Sequence, residues 1–319
     1  MPTSPPDIVL HVQPGVVQSW DEFRQTKPPF SIALDGFVDA APEYCLHGPY
    51  ANFDHHRGVS RLATRSTVGQ ILVAINLGLF ETFQQDQKPF ANVYVNDCDQ
   101  DVCLSYWLLK NAHLASGLSL DMDIARLIIG EDLLDASSGA YPIDPCTPLA
   151  RKMAWTFELY DEVRASSRLH LLTREEMRGI VEATCERLTL LSDGKALERE
   201  LQGEYEVLGG GAEWGIVREH GTHARTKLFA DGIRAFVAVR ARSDTTFDYS
   251  VGRMSPFIPF PLDKIFHTLN VAENRTDSRD CWGGSDIIGG SPRSRGSRLT
   301  PAEIEQIINQ LLDEEKQAE

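Results

Sequence analysis

Three short apolar segments in the first hundred residues each run into a carboxylate. Phe30-Ser31-Ile32-Ala33-Leu34 ends at Asp35-Gly36, Tyr50-Ala51-Asn52-Phe53 ends at Asp54, and Ala91-Asn92-Val93-Tyr94-Val95 precedes the cluster Asp97 to Asp101. Apolar runs of this length bounded by polar residues fit strands buried on both faces. Between them, Thr67 to Phe83 carries apolar side chains at helical spacing (Val68, Ile71, Leu72, Ile75, Leu79), and Val102 to Ala112 reads as a helix. This alternation predicts an α/β fold with a mainly parallel sheet flanked by helices. Ligands of such sheets bind outside the carboxyl ends of the strands, so acidic groups remote in sequence are expected to converge on one crevice. A further apolar run, Ile124 to Ile129, leads to Glu131-Asp132-Leu133-Leu134-Asp135.

The texture changes after about Gln202. Ala150 to Gln202 is helical and charged, with a Thr173-x-x-Glu176 capping box opening one helix. Beyond it Tyr205 to Val217, Lys227 to Arg242 and Thr245 to Val251 read as strands, with turns at Gly209-Gly210-Gly211 and a hairpin signal at Asp231-Gly232. Leu262 to Leu269 reads as a short helix, and Thr300-Pro301 opens the last one. A chain of 319 residues exceeds the size at which one core usually stops growing. Two domains are expected, residues 1–195 with the closing helices and residues 196–319 as a smaller α+β domain.

A net charge of −15 argues against a protein that coats nucleic acid over an extended footprint, because the phosphate backbone would be repelled. A short anionic ligand stays open, since divalent cations or a few arginines reverse the field locally. The six cysteines (45, 98, 103, 146, 185, 281) have no framework spacing and read as reduced thiols. The N-terminus carries no basic region followed by an apolar run, and no apolar stretch is long enough to span a membrane. A cytoplasmic location is expected, and a homodimer is compatible with the sequence.

Two motifs carry chemistry. Asp54-His55-His56-Arg57 offers a carboxylate and two imidazoles, a donor set that suits manganese, iron, cobalt or zinc better than calcium. Asp97-Cys98-Asp99-Gln100-Asp101 places three carboxylates at alternate positions, where like charges raise one another's pKa unless a cation is present. The alternative for the second motif is an acidic turn capping the helix that follows. His220, His223 and Cys281 read as structural rather than as a second metal site.

With these motifs the chain resembles the DHH phosphoesterase superfamily, which includes RecJ-type exonucleases, nano-RNA and cyclic-dinucleotide phosphodiesterases, and family II pyrophosphatases. Asp54-His55-His56 is similar to the motif that names the superfamily. Asp97-x-Asp99-x-Asp101-x-x-x-Ser105 is similar to its D-x-D-x-D-G-x-x-S motif, with Val102 in place of the glycine. Asp35-Gly36 looks like the isolated aspartate that bridges two metals, and Asp135 resembles the last aspartate ligand. The segment Gly283-Gly284-Ser285 to Gly289-Gly290-Ser291 is similar to the glycine-rich loop of the C-terminal substrate-binding domain. The chain departs from the family in order: the D-x-D motif follows the isolated aspartate and the triplet instead of preceding them. It also has Gly-Gly-Ser where many members have Gly-Gly-His.

The resemblance implies a DHH-type catalytic domain holding two divalent ions, Mn2+ first with Mg2+ or Co2+ as alternatives, roughly 3.5–4 Å apart around an attacking hydroxide. It assigns Asp35 as the bridge, with Asp39 in reserve, and Asp54, His55, Asp97, Asp99, Asp101 and Asp135 as the remaining metal-site residues. Asp97 either ligates or orients another group. His56 would hydrogen-bond a phosphoryl oxygen or protonate the leaving group, and Arg57 would either pair with phosphate or balance charge. Gly283, Gly284, Ser285, Gly289, Gly290 and Ser291, with Arg293 and Arg295, would hold the substrate's phosphate. Arg275, Arg279 and Arg298 surround that loop. The implied activity is hydrolysis of a phosphodiester in short nucleic acid or dinucleotides. Pyrophosphate or a small phosphorylated metabolite, and a non-catalytic metal- or nucleotide-binding relative, are the alternatives.

Overall fold

The computed structural model describes residues 4–115, 120–137, 139–166, 168–276 and 280–318. It is mixed α/β, with two six-stranded sheets and eleven α-helices among the described residues. The chain divides into two compact units, Met1–Ala136 with Cys146–Glu200, and Ser137–Pro145 with Leu201–Glu319. The division thus falls five residues later than the expected 195/196. The segment 137–145, expected in the first domain, belongs with the second, where Ala140 packs among Val217, Leu228 and Phe236.

In the first unit the elements run β1 (Asp7–Val12), α1 (Trp20–Thr26), β2 (Ser31–Leu34), β3 (Glu43–Cys45), β4 (Tyr50–Phe53), α2 (Thr67–Asn76), α3 (Leu79–Thr82), β5 (Gln84–Gln85), β6 (Lys88–Val95), α4 (Gln100–Lys110), α5 (Met122–Ala136), α6 (Pro148–Thr156), α7 (Glu158–Ala165) and α8 (Arg174–Ser192). The sheet order is β1-β6-β2-β4-β3, and β5 pairs with β6. β1, β6, β2 and β4 are mutually parallel; only β3 and β5 run against their neighbours. Ile32, Leu34, Val93 and Val95 are wholly buried, as central parallel strands covered on both faces require. Three adjacent parallel strands, β6, β2 and β4, therefore present their carboxyl ends side by side, and these are the ends that lead into Asp97, Asp35 and Asp54.

Some expected elements differ in detail. The apolar stretch Thr67 to Phe83 is two helices, because Gly78 adopts φ +104 between α2 and α3. The apolar run Ile124 to Ile129 lies inside α5, which also carries Asp135. The Thr173–Glu176 capping box forms: Thr173 Oγ1 accepts from the Glu176 N–H at 3.2 Å, and the Glu176 carboxylate accepts from the Thr173 N–H at 2.9 Å.

The second unit comprises β7 (Tyr205–Gly210), β8 (Trp214–Glu219), α9 (Ala224–Ala230), β9 (Ala235–Ala241), β10 (Phe247–Arg253), α10 (Leu262–Ala272), β11 (Gly283–Gly284), β12 (Ile288–Gly290) and α11 (Pro301–Ala318). Its sheet, β11-β12-β10-β9-β8-β7, is antiparallel except between β8 and β9. That parallel pair needs a crossover, which α9 provides. Asp231-Gly232 is accordingly not a hairpin: it ends α9, with Gly232 at φ +91, and Lys227 to Ala230 is helical instead of extended. α10 and α11 cover one face through Ile265, Phe266, Leu269, Ile304 and Ile308. No helix among the described residues is long and apolar enough to cross a membrane.

Candidate metal centre

Four chain segments place one side chain each. Asp35 follows β2 directly and adopts φ +46, a left-handed backbone unusual outside glycine, fixed by its N–H donating to the Phe53 carbonyl at 2.9 Å. Thr67 Oγ1 donates to Asp35 Oδ1 at 2.9 Å. His55, just past β4, is fully buried, with Nε2 at 2.7 Å from Asp135 Oδ2 and 3.6 Å from Asp35 Oδ1. Asp101, in the first turn of α4, accepts from the backbone N–H groups of Thr67 at 2.6 Å and Val68 at 2.7 Å. One carboxylate thereby satisfies two of the orphan donors at the start of α2. Asp135 comes from the last turn of α5. That helix lies close to α2 because Gly69 has no side chain: a Cβ there would lie 2.6 Å from Asp132 Oδ1, which accepts from the Ser66 N–H.

Donor atoms from Asp35, His55, Asp101 and Asp135 lie within 4.8 Å of one another, and Asp35, His55 and His56 form an overlapping group. This buried Asp/His cluster can hold a metal ion. Its electrostatics fit a cation. Burial and the charges of Asp99, Asp101 and Asp135 push the Asp35 carboxyl well above its usual range. Burial and the neighbouring Asp135 and Asp99 do the same for Asp101. Burial, then Asp97, pushes Asp99 up to about 6. Asp135 goes the other way: burial would raise it, but the hydrogen bond and charge of His55 and the charge of Arg61 hold it down at about 2. Carboxylate oxygens of Asp35, Asp101 and Asp135 lie within 4.8 Å of one another. Carboxylates this close raise one another's pKa, and a bound cation would relieve that repulsion. His55 Nδ1, Asp54 Oδ2 and Glu131 Oε2 are buried without a hydrogen-bond partner among the described residues, so the pocket holds more donor capacity than the protein uses.

The remaining expected ligands stand outside these two groups. Asp54 is fully buried, but its Oδ1 accepts from the His56 backbone N–H at 3.2 Å and lies 2.8 Å from His56 Nδ1. It holds the second histidine. Asp99 is the N-cap of α4, accepting from the Val102 N–H at 2.9 Å, so the capping alternative is realised by this one aspartate. Asp97 accepts from the Cys98 N–H at 2.6 Å, and burial raises its pKa. Arg57 is exposed and pairs with Asp39 at 2.5 Å, which takes Asp39 out of the reserve role.

Three participants were not singled out from sequence. Thr67 orients Asp35. Glu131, one turn before Asp135 on α5, is buried, and burial followed by Asp135 and Asp99 raises its carboxyl well above the usual range. Arg61 Nη2 donates to Asp135 Oδ1 at 2.8 Å and lies 3.3 Å from His55 Nε2. The only sequence signal for it was the spacing Arg57, Arg61, Arg65 behind the histidine pair.

In the second unit the expected phosphate loop is a tight hairpin of β11 and β12. Its glycines answer to strand packing: a Cβ on Gly284 would lie 2.2 Å from Gly289 Cα, one on Gly289 2.4 Å from the Gly283 carbonyl, and one on Gly290 2.2 Å from the Tyr249 carbonyl. Ser285 Oγ caps the turn, accepting from the N–H groups of Ile287 and Ile288, and Ser291 Oγ accepts from the Tyr249 N–H. Arg293 and Arg295 are exposed beside it, whereas Arg275 is enclosed by Glu273, Asp280 and the Gly296 carbonyl. Arg279 lies outside the described residues.

Fold and cluster together define an α/β chain with a candidate metal centre at the carboxyl ends of three adjacent parallel strands. No protein-family model matches the chain, and no curated protein matches it.

Proposed function

We infer that the chain is a metal-dependent phosphoric ester hydrolase of DHH type, acting on a phosphodiester in short nucleic acid or dinucleotides. The observation that carries this reading is the convergence of Asp35, His55, Asp101 and Asp135, from four separate segments, on one buried cluster beside His56. Asp35, His55, Asp101 and Asp135 would hold the ions, with Mn2+ the cation that the family resemblance favours among those suited to a mixed carboxylate and imidazole donor set. When bound, divalent ions supply Lewis acidity at the phosphoryl oxygens and lower the pKa of water.

The chain's own residues account for the rest. Thr67 and the start of α2 fix Asp35 and Asp101, so the donor geometry is set before any ligand arrives. Asp54 Oδ1, accepting from the His56 Nδ1–H, orients the half-exposed His56 ring. That is the arrangement of a general acid held by a buried carboxylate, and it suits proton delivery to the departing alkoxide. The exposed guanidinium groups of Arg293 and Arg295 supply phosphate-matching forks in the second unit.

The reading is tested by incubating the full chain and Asp101→Asn with Mn2+ and either a dinucleotide or pyrophosphate. Mn2+-dependent release of mononucleotide by the wild type, lost in the variant, is expected. Turnover of pyrophosphate alone would move the substrate to small phosphate compounds, and turnover surviving in Asp101→Asn would remove the assignment.

A further inference from the structure

We propose that Arg61 is a resident counter-cation of this cluster, displaced from His55 and Asp135 by an incoming divalent ion and thereby freed to grip a phosphoryl group. The inference rests on the metal-site reading and adds a competition to it.

The two atoms that Arg61 Nη2 contacts belong to residues of the metal-holding group: Asp135 Oδ1 at 2.8 Å and His55 Nε2 at 3.3 Å. A guanidinium has five donors and no acceptor, so it can never join a cation as a co-ligand. A divalent ion held by Asp135 and His55 meets a positive charge already seated on both. Like charges at that range repel strongly in a partly desolvated pocket. One must withdraw.

The structure indicates which. Arg61 is incompletely held, because its Nε is buried without a hydrogen-bond partner among the described residues. It stands in a three-residue 3-10 helix, Arg61–Ala63, flanked by extended Ser60 and Thr64 and lacking a side-chain cap. Asp101 and Asp35, by contrast, are tied to the start of α2 and to Thr67. The carboxylates stay and the arginine moves. Its side chain is about three-tenths exposed, and half-exposed His56 belongs to the same cluster, so a withdrawn fork has solvent to turn toward. There its paired N–H groups match the oxygens of a phosphoryl group.

A Mn2+ titration of the full-length wild type, Arg61→Ala and Arg61→Gln, followed by electron paramagnetic resonance of the free ion, tests the competition. Both variants are expected to bind Mn2+ about tenfold tighter, the scale on which outer partners change metal affinity. A structural arginine would give the opposite sign on removal. Inorganic phosphate titrated into the Mn2+-saturated proteins is expected to bind about tenfold more weakly to the variants, the loss of one charge-assisted pair. Equal or weaker Mn2+ binding in variants that melt as cooperatively as the wild type overturns the competition, and unchanged phosphate affinity overturns the gripping role. Should Arg61→Ala fail to fold, Arg61→Gln, which keeps much of the side chain's bulk, decides both points. Wild type that binds no Mn2+ defeats the metal-site reading and this inference with it, whereas wild type that binds Mn2+ no more weakly than the variants defeats the inference alone.

Discussion

Asp54 Oδ1 lies 2.8 Å from His56 Nδ1, and the aspartate is fully buried while the imidazole is half-exposed. A buried carboxylate behind a histidine fixes ring orientation and tautomer. Asp54→Asn is therefore expected to lower kcat about 10- to 100-fold while leaving Mn2+ affinity within about threefold of wild type. Steady-state kinetics beside calorimetric metal titration separates the two effects. A large loss of metal affinity would return Asp54 to the ligand set.

Acid should stabilise the metal-free protein. The carboxyls of Asp35, Asp99, Asp101 and Glu131 all have folded pKa values above their ordinary values near 4, with Asp99 at about 6. For such a group the unfolded chain ionises first, so its contribution to stability is complete below the ordinary value and is lost as pH rises through the folded one. For Asp99 alone the effect is roughly 3 kcal/mol. Asp135, depressed to about 2, contributes in the opposite sense, but that contribution is constant at neutral pH and is lost only as pH falls toward 2. Urea unfolding in chelator should give a lower midpoint at pH 8 than at pH 5, and saturating Mn2+ should reverse the order, because ligation releases the protons.

Thr67 Oγ1 donates to Asp35 Oδ1 and also lies 3.3 Å from the Phe53 carbonyl, in a wholly buried setting. Thr67→Val keeps the shape and removes the hydroxyl. It is expected to cost about 1–2 kcal/mol in chemical denaturation and to weaken Mn2+ binding about tenfold. Stability and affinity that both match wild type would dissociate Thr67 from the site.

The glycines of the β11–β12 hairpin give a contrast within two residues. A Cβ on Gly283 meets nothing within 4 Å, whereas one on Gly284 collides with Gly289 Cα. Gly283→Ala should change stability by less than about 0.5 kcal/mol, and Gly284→Ala should cost about 2–3 kcal/mol. Thermal melts of the two proteins decide it. Comparable losses would point away from strand packing as the reason for these glycines.

The sequence made the frame of the site legible because short continuous apolar runs ending in carboxylates are a burial signal that local reading detects well. Asp35 and Asp101 were reachable from it and His55 from the adjacent histidine pair, whereas Asp135 came from the family resemblance alone. Which aspartate of the 97–101 cluster turns inward was not, because that depends on where α4 starts: Asp99 spends its carboxylate as N-cap, and Asp101, two residues on, faces α2. Arg61 and Thr67 were invisible for a similar reason, since their roles arise only when the loop after β4 closes against α5 and α2. Asp231-Gly232 misled because the same dipeptide ends a helix as readily as it turns a hairpin, and α9 is only seven residues long. Gly284, Gly289 and Gly290 were read as part of a ligand loop, and the close strand approach at these three positions is visible only with three-dimensional neighbours.

Anomalous diffraction from crystals of the full chain grown with Mn2+ tests the central claim most directly. A manganese peak is expected at the carboxyl ends of β6, β2 and β4, coordinated by carboxylate oxygens of Asp35, Asp101 and Asp135 and by the His55 imidazole. Manganese absent from that cluster, or found only on exposed surface acids, would contradict it.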